Sequence, residues 1–303
     1  MRLVVFIEPQ LGASYNDQLR IARQAEELGF DAFFRSDHFM AMGQWPGLPG
    51  PTDSWATLAA IAVQTESIRL GTLLTSATFR HPGLLAISVA QVDDMSGGRV
   101  ELGLGAGWFE AEHRAYGVPF PSTRERFERL EEQLAIVTGM WTTPVDERFS
   151  FQGKHYELID SPALPKPKQS PRPPVIVGGK GPKRTPALAA AFADEFNVPF
   201  SSLEDTDAAF RRVEAACQAR GRQRPPVLSV AQTIACGQTD AEAKQRAEVI
   251  GYQPPLYGTP DQVAEQIRRF AGIGAGRVFL QILDLSDMDH LDLIASAVAP
   301  RLA

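Results

Sequence analysis

The sequence predicts an α/β protein in which eight parallel strands, each followed by a helix, close into a (β/α)8 barrel with insertions. Three observations lead to this fold class. The 303-residue chain alternates apolar runs with helical patterns about eight times, crossovers of this length require parallel pairing, and no change in composition marks a domain boundary. We therefore expect a single domain over residues 1–303. The alternative, an open doubly wound sheet, would need a glycine-rich turn after the first strand, and Glu8-Pro9-Gln10 is not one.

Local patterns predict the individual elements. Residues 2–7 are a short run of strand formers, and residues 16–28 carry apolar or small side chains at helical spacing before Gly29. Further strands are predicted at residues 31–35, 68–75, 99–104, 174–177, 195–198, 227–235 and 277–282. Further helices are predicted at residues 54–64, 83–95, 124–139, 205–220, 240–250, 260–272 and 285–299, with one more between Gly179 and Phe192. After Trp141 the alternation stops, so we expect an insertion over about residues 141–173 that contains a hairpin near residues 149–156.

Composition limits the partners and the location of the protein. A formal net charge of −6 and an isoelectric point near 5.5 argue against nucleic acid and against an anionic membrane, because neither attracts an acidic surface. No apolar run approaches the roughly eighteen residues that span a bilayer. No secretory leader is recognisable, and Cys217 and Cys236 fit no metal or redox motif. The expectation is a cytoplasmic protein.

The stretch Val-Glu-Leu-Gly-Leu-Gly-Ala-Gly-Trp at residues 100–108 opens like a buried strand but holds three glycines at alternate positions. Glycine is unfavourable in a strand because it gives up side-chain packing and costs backbone entropy. Something must therefore require the missing side chains. Either a flat ligand passes over the strand end, or the glycines serve a bulge or a tight barrel corner. From these residues alone, both explanations stay open.

Polar and small residues follow the predicted strands, at the end where barrels of this kind carry their sites. They are Glu8, Asp37 and His38, Thr75 and Ser76, Ala106, Gly107 and Trp108, and Gly178 and Gly179. His38 can pass a proton near neutral pH, and Asp37 can fix its tautomer or bind a ligand. Lys183 and Arg184 lie in the first turn of the helix after Gly179, where cations oppose the helix dipole. We therefore favour an anion site there, most simply for a phosphate, over solvated charge.

Several stretches together resemble the bacterial luciferase-like monooxygenase superfamily, in particular its branch of probable deazaflavin (coenzyme F420)-dependent oxidoreductases. They are residues 36–39 (Ser-Asp-His-Phe), 70–82, 96–108, 123–131, 149–156, 174–179 and 257–261. The resemblance covers nearly the whole chain. It implies a TIM-like barrel, a homodimer, a small-molecule substrate, and a deazaflavin or flavin ring over the carboxyl ends of the strands.

The resemblance also implies residue roles. Asp37 and His38 would line the ring site, with His38 as the proton donor and Glu8 behind it, and with no further acid at the mouth. Leu73 and Leu74 would form a bulge, often a non-proline cis peptide, behind the ring. Thr75, Ser76, Ala106 and Gly107 would contact the ring or its ribityl chain, Gly178 and Gly179 would contact the phosphate, and the glycines of residues 103–107 would lie against the ring.

One position departs from a branch of the superfamily. Deazaflavin-dependent sugar-phosphate dehydrogenases carry a glutamate, which is their acid, where this chain has Trp108. Oxidation of glucose 6-phosphate is therefore not expected, and Trp108 is expected to line the site of an apolar substrate.

The favoured function is hydride transfer between coenzyme F420 and a small organic substrate such as an activated alkene, imine, nitroarene or alcohol. An FMN-dependent two-component monooxygenase is the first alternative, because both cofactors share the ring shape and the ribityl phosphate. The six cations between Lys166 and Arg184 mildly favour F420, whose tail adds carboxylates. A non-catalytic flavin- or deazaflavin-binding protein is a further alternative. A non-redox barrel such as an aldolase is another alternative. It would usually need a catalytic lysine or a second carboxylate at a strand end, and the sequence shows neither.

Overall fold

Eight parallel strands form a closed barrel in the computed structural model, which describes residues 1–43 and 45–302. The described residues contain twelve strands in all, eight of the barrel and four short additional ones. They are β1 (Arg2–Ile7), β2 (Ala32–Arg35), β3 (Arg69–Thr72), β4 (Thr75–Ser76), β5 (Val100–Gly105), β6 (Phe149–Gln152), β7 (Glu157–Ser161), β8 (Val175–Gly178), β9 (Glu195–Pro199), β10 (Val227–Cys236), β11 (Leu256–Gly258) and β12 (Arg277–Ile282). The barrel order is β1, β2, β3, β5, β8, β9, β10 and β12, and β12 pairs back onto β1. The predicted (β/α)8 barrel is confirmed.

Helices connect the strands on the outside of the barrel. They are α1 (Tyr15–Glu27), α2 (Ser54–Ala62), α3 (Pro82–Met95), α4 (Glu110–Ala115), α5 (Thr123–Thr142), α6 (Arg184–Phe192), α7 (Leu203–Ala219), α8 (Asp240–Ile250), α9 (Pro260–Gly272) and α10 (Met288–Leu293). Their starts follow local chemistry: Ser14 and Asp17 form a reciprocal capping box before α1, and the Ser202 hydroxyl accepts from the Asp205 N–H before α7. No helix of the described ranges is both long and apolar enough to cross a membrane.

The sequence missed short elements and interruptions. The predicted strand at residues 68–75 is broken between β3 and β4 by Leu73 and Leu74. Helix α4 and strand β11 were not predicted, because six and three residues are too few to establish a period. The predicted helix at residues 285–299 is shorter, since α10 passes into a π turn at Ile294–Val298 and a 3-10 turn at Ala299–Leu302.

Between α5 and β8 the chain forms the antiparallel hairpin of β6 and β7. The hairpin confirms the element predicted near residues 149–156, although its second strand lies later. One domain over residues 1–303 with an insertion over about residues 141–173 stays a prediction.

A buried ionic cluster closes the amino-terminal end of the barrel. The Arg277 Nη1 lies 2.6 Å from Glu101 Oε2 and 2.9 Å from Glu195 Oε2, and its Nε lies 2.8 Å from Asp31 Oδ2. Arg69 pairs with Glu101 from the neighbouring strand. Burial alone would lower the pKa of Arg277, but the surrounding carboxylates raise it above its ordinary value. The opposite end of the barrel is therefore the one open to a ligand.

His290 on α10 is buried and neutral. Its Nε2 accepts a hydrogen bond of 3.0 Å from the Cys236 N–H, so this nitrogen carries no proton. Burial, followed by the charge of Arg246, lowers the pKa of His290 to about 4, from a model-peptide value of 6.5.

Acidification is expected to destabilise the fold through His290. Below the pKa of His290 in the unfolded chain, the unfolded chain takes up a proton that the folded chain does not, so stability falls as pH falls from 6.5 to about 4, by about 3 kcal/mol in total. In urea titrations at about pH 7 and about pH 5, His290→Gln should lose less stability on acidification than the wild type. The exposed His81 supplies the control, His81→Gln; an unchanged pH dependence in His290→Gln would contradict the assignment.

Candidate active site

A cavity of about 610 Å³ opens at the carboxyl ends of the barrel strands. The predicted site residues in its wall are Glu8, Asp37, His38, Leu73, Leu74, Thr75, Ser76, Ala106, Gly107, Trp108, Gly178 and Gly179. Two predicted residues, Lys183 and Arg184, are exposed and do not line it. The roles assigned to all these residues stay predictions.

The bulge predicted at Leu73 and Leu74 is present, with a cis peptide between the two residues. Two glycines of the segment at residues 100–108 make room for this bulge. A Cβ on Gly103 would lie 2.0 Å from the Thr72 carbonyl oxygen and 2.7 Å from Leu74 Cδ2, and a Cβ on Gly105 would lie 3.1 Å from Leu74 Cδ1. The expectation that Gly103 lies against a ring is therefore corrected, because Thr72 and Leu74 occupy the space beside it and it does not line the cavity. Gly105 lines the cavity beside Leu74, and its contact with a ring stays a prediction.

Replacing Gly103 by alanine should destabilise the protein by about 3 kcal/mol or more, because the new methyl group would overlap backbone that cannot move aside alone. The matched control is Gly272→Ala at the end of α9, where an added Cβ meets nothing within 4 Å. Urea unfolding of both variants gives the comparison. Equal stability of Gly103→Ala and wild type would show that the bulge does not need this glycine.

His38 is held by a carboxylate that the sequence analysis missed. Its Nδ1 lies 3.0 Å from Glu112 Oε2 and 3.3 Å from Glu112 Oε1, and Oε1 also accepts from the Phe39 and Met40 N–H groups. With Nδ1 bound in this way, Nε2 is the nitrogen left for a ligand. The expectation that His38 and Glu8 are the acids of the mouth is thus incomplete, since Glu112, on the unpredicted helix α4, also lines the cavity.

Glu112 raises the pKa of His38. Burial acts in the opposite direction and is the largest single influence, but the hydrogen bond and charge of Glu112, with the charges of Glu8 and Asp37, outweigh it. His38 therefore keeps its proton to a higher pH than a free histidine does.

Asp37 does not serve His38 as the sequence suggested. Its carboxylate forms a two-pronged pair with the Arg80 guanidinium, which also reaches Asp53 Oδ2 at 2.5 Å. Asp53 in turn caps α2 by accepting from the Ala56 N–H. The tautomer of His38 is consequently set by Glu112, and Asp37 contributes a neutralised carboxylate to the wall.

Glu8 follows β1 and lines the base of the cavity. Burial raises its pKa; the charge of His38 and hydrogen bonds from Gln281 and Gln10 oppose this effect without cancelling it. A carboxyl group with a raised pKa can be protonated closer to neutral pH, so Glu8 is a second group here able to donate a proton.

A chain of hydrogen bonds fixes the direction of the Ser76 hydroxyl. His113 Nδ1 lies 2.7 Å from the Phe109 carbonyl oxygen, His113 Nε2 lies 2.5 Å from Thr78 Oγ1, and Thr78 Oγ1 lies 2.6 Å from Ser76 Oγ. Since a carbonyl only accepts, Nδ1 carries the hydrogen, and in the neutral ring Nε2 accepts from Thr78. Thr78 then accepts from Ser76, whose lone pairs are left for a donor in the cavity.

Aromatic rings form one side of the mouth. Trp108 and Phe109 stack with centroids 5.2 Å apart, and the His38 ring meets Trp108 edge-on at 5.7 Å. Trp108 is 64% exposed, so it offers an apolar face beside His38. The role predicted for Trp108, lining the site of an apolar substrate, stays a prediction.

The family profile for luciferase-like monooxygenases matches residues 1–256. The chain belongs to this family. The luciferase-like chain is 34% identical over 183 residues to an F420-dependent glucose-6-phosphate dehydrogenase of Microbacterium testaceum, a match that covers 60% of this chain and 52% of the relative. The chain thus spans about half the length of that relative.

Two further relatives differ in their named cofactor. An F420-dependent hydroxymycolic acid dehydrogenase of Mycobacterium tuberculosis is 31% identical over 254 residues, which is 81% of this chain and 66% of the relative. An FMNH2-dependent dimethylsulfone monooxygenase of Pseudomonas putida is 28% identical over 237 residues, which is 78% of this chain and 62% of the relative.

Solved structures share the fold. An F420-dependent secondary alcohol dehydrogenase, in complex with an F420-acetone adduct, superposes with a TM-score of 0.85 at 19% identity, covering 100% of this chain and 99% of that one. A monooxygenase of Streptomyces bottropensis gives a TM-score of 0.82 at 23% identity over 100% of both chains.

The turn that the sequence analysis interpreted as an anion site contributes further residues to the cavity of this luciferase-like chain. Lys180, Gly181 and Thr185 follow Gly179 in its wall, whereas the exposed Arg184 donates to the Arg124 carbonyl oxygen at 2.8 Å. Of the three cations Lys180, Lys183 and Arg184, only Lys180 therefore lines the cavity. The phosphate site at this turn stays a prediction.

Proposed function

We propose that the protein is an F420-dependent oxidoreductase that transfers a hydride between the deazaflavin ring and a small organic substrate. The observation that carries the proposal is the pairing, in one cavity, of His38, whose Nδ1 is held by Glu112, with an apolar platform formed by Leu74. The F420-dependent relatives of Microbacterium testaceum and Mycobacterium tuberculosis support the choice of cofactor.

The residues present fit such a cofactor. The cavity volume of about 610 Å³ lies within the roughly 300–1,000 Å³ of ligand sites. Leu74 supplies an apolar surface for a flat ring, and Ser76 presents lone pairs to a ring N–H or a ribityl hydroxyl. Gly178 and Gly179 line the cavity beside Lys180, where a phosphate would bind. When bound, the deazaflavin would supply the carbon that gives or accepts the hydride.

The chain's own groups would manage the proton and the geometry. His38 Nε2 would hold the proton beside the reacting atoms, and Glu112 would keep the ring oriented and charged through Nδ1. Trp108 and Phe109 would exclude water on the substrate side. Because Trp108 leaves this position without a carboxylate, we propose that glucose 6-phosphate is not the substrate, although the relative of Microbacterium testaceum is named for it.

Equilibrium titration of the purified protein with oxidised F420 and, separately, with FMN tests the cofactor. Micromolar or tighter binding of F420 with much weaker binding of FMN is the expected result. With F420 bound, His38→Ala should keep cofactor affinity but reduce turnover by about 10²- to 10⁴-fold. Full turnover by His38→Ala would overturn its role as proton donor.

An FMN-dependent monooxygenase is the second candidate. It is favoured by the relative of Pseudomonas putida, which aligns with 78% of this chain. Preference for FMN in the titration, with substrate-dependent oxygen consumption in the presence of reduced FMN, would support it. The homodimer implied by the resemblance stays a prediction for sedimentation analysis.

A further inference from the structure

A second cavity of about 480 Å³ adjoins the first at the mouth of the barrel. Phe200, after β9, belongs to the walls of both. Its backbone is fixed from two sides, because its N–H donates to the Ala231 carbonyl at 2.8 Å and its carbonyl accepts from Lys180 Nζ at 2.7 Å. Phe200 therefore forms a partition between the two cavities.

The wall of the second cavity contains an acceptor without a partner. Gln232 on β10 is fully buried, its Nε2 donates to the Ser201 carbonyl oxygen at 2.7 Å, and its Oε1 has no hydrogen-bond partner. The orientation of the amide is fixed, since a flipped amide would place two acceptors against each other. A buried acceptor left in this way is unfavourable unless a donor reaches it.

The hydroxyl hydrogens of the same wall are already used within the protein. Tyr252 Oη donates to Thr233 Oγ1 at 2.9 Å, and Thr233 Oγ1 donates to Gln281 Oε1 at 2.5 Å. Ser201 Oγ donates to the Pro199 carbonyl, and Ser202 Oγ donates to Asp205. These hydroxyl groups therefore have no hydrogen left to donate to a ligand, so a ligand group that bonds to them must supply the hydrogen.

The charges exclude several ligand classes. None of the described residues in this wall is a lysine, arginine or histidine that would bind a phosphate or carboxylate, and none is an aspartate or glutamate that would bind an ammonium group. A neutral donor, a hydroxyl or an amide N–H, fits the wall best.

The second cavity is connected to the reaction site through Gln281. Its side chain lines the second cavity, and it lies close enough to Glu8, which lines the first cavity, to oppose the rise in the pKa of Glu8 that burial causes. A single elongated molecule could therefore place one end beside His38 and Glu8 in the first cavity and extend past Phe200 so that its other end lies in the second cavity.

We infer that the second cavity binds the uncharged, hydrogen-bond-donating end of the substrate, a hydroxyl or amide N–H, at Gln232 Oε1. Calling this ligand the substrate rests on the proposed function. The binding site itself does not, because it depends on the orphaned acceptor and the neutral wall alone.

The test uses two probes that share a six-carbon chain with an oxygen at each end, hexane-1,6-diol and its dimethyl ether, which lacks donors. Crystals of the full chain soaked with the diol should show a terminal oxygen within hydrogen-bond distance of Gln232 Oε1, and the ether should leave the position empty. Ligand-observed NMR titration should give roughly three- to ten-fold tighter binding of the diol than of the ether. Gln232→Leu should abolish that difference, and Gln238→Leu in the exposed turn that follows β10 should keep it.

A diol oxygen away from Gln232, or equal affinity of the two probes for the wild type, would overturn the inference. If Gln232→Leu fails to fold, the soaked wild-type crystal still decides. Neither readout requires deazaflavin or turnover. Failure to bind F420 therefore refutes the proposed function alone, and failure to bind the diol refutes the subsite alone.

Discussion

Replacing Glu112 by glutamine is expected to lower the pKa of His38 and to reduce turnover at neutral pH by about ten- to a hundred-fold. The carboxylate contributes both the hydrogen bond and the charge that hold the pKa of His38 above its ordinary value. A neutral amide supplies no charge. Its NH2 group cannot accept from the Phe39 or Met40 N–H, so the amide oxygen stays there and the NH2 group faces His38 Nδ1. Without the charge, burial dominates and His38 loses its proton at a lower pH.

The pH profile of kcat/KM separates this effect from a general loss of structure. In the wild type, activity that needs protonated His38 is lost as the pH rises through the raised pKa of His38. This loss of activity at high pH, the alkaline limb of the profile, should move to lower pH in Glu112→Gln. Glu110→Gln, an exposed change on the same helix, should leave the profile unchanged. An unmoved limb in Glu112→Gln would show that Glu112 does not control the proton of His38.

Replacing Arg277 by methionine is expected to lower the free energy of unfolding by about 3–5 kcal/mol, because removal of one partner leaves buried charges uncompensated. Arg277 is 1% exposed and pairs with Glu101 and Glu195, which are themselves buried. Burial already raises the pKa of Glu195 against the opposing charge of Arg277. Without Arg277, both carboxylates should take up protons at higher pH.

Urea unfolding at neutral pH measures the loss. Arg269→Met, an exposed arginine on α9, should change stability by less than about 0.5 kcal/mol. Adding Glu195→Leu to Arg277→Met should recover part of the loss, since it removes one unpaired charge. A stability of Arg277→Met equal to that of the wild type would show that the carboxylates of the barrel floor do not need the guanidinium.

The sequence by itself determined the barrel and most of the cavity wall. Alternating strand and helix patterns require parallel pairing, and the carboxyl ends of parallel strands meet at one end of a closed barrel. For this reason Glu8, His38, Ser76, Ala106 and Gly178, which only follow strands in the sequence, line one cavity in the structure. Local chemistry and a topological rule were sufficient for this part.

Only the tertiary structure decided which groups touch one another. Glu112 reaches His38 from 74 positions away on a helix too short to predict, and Arg277 meets Glu101 across 176 positions on the barrel floor. The glycine at residue 103 is required by the Thr72 carbonyl oxygen and the Leu74 side chain, which lie where a Cβ would be. Such contacts depend on closure of the barrel and on side-chain direction, and neither leaves a periodic signal in the local sequence.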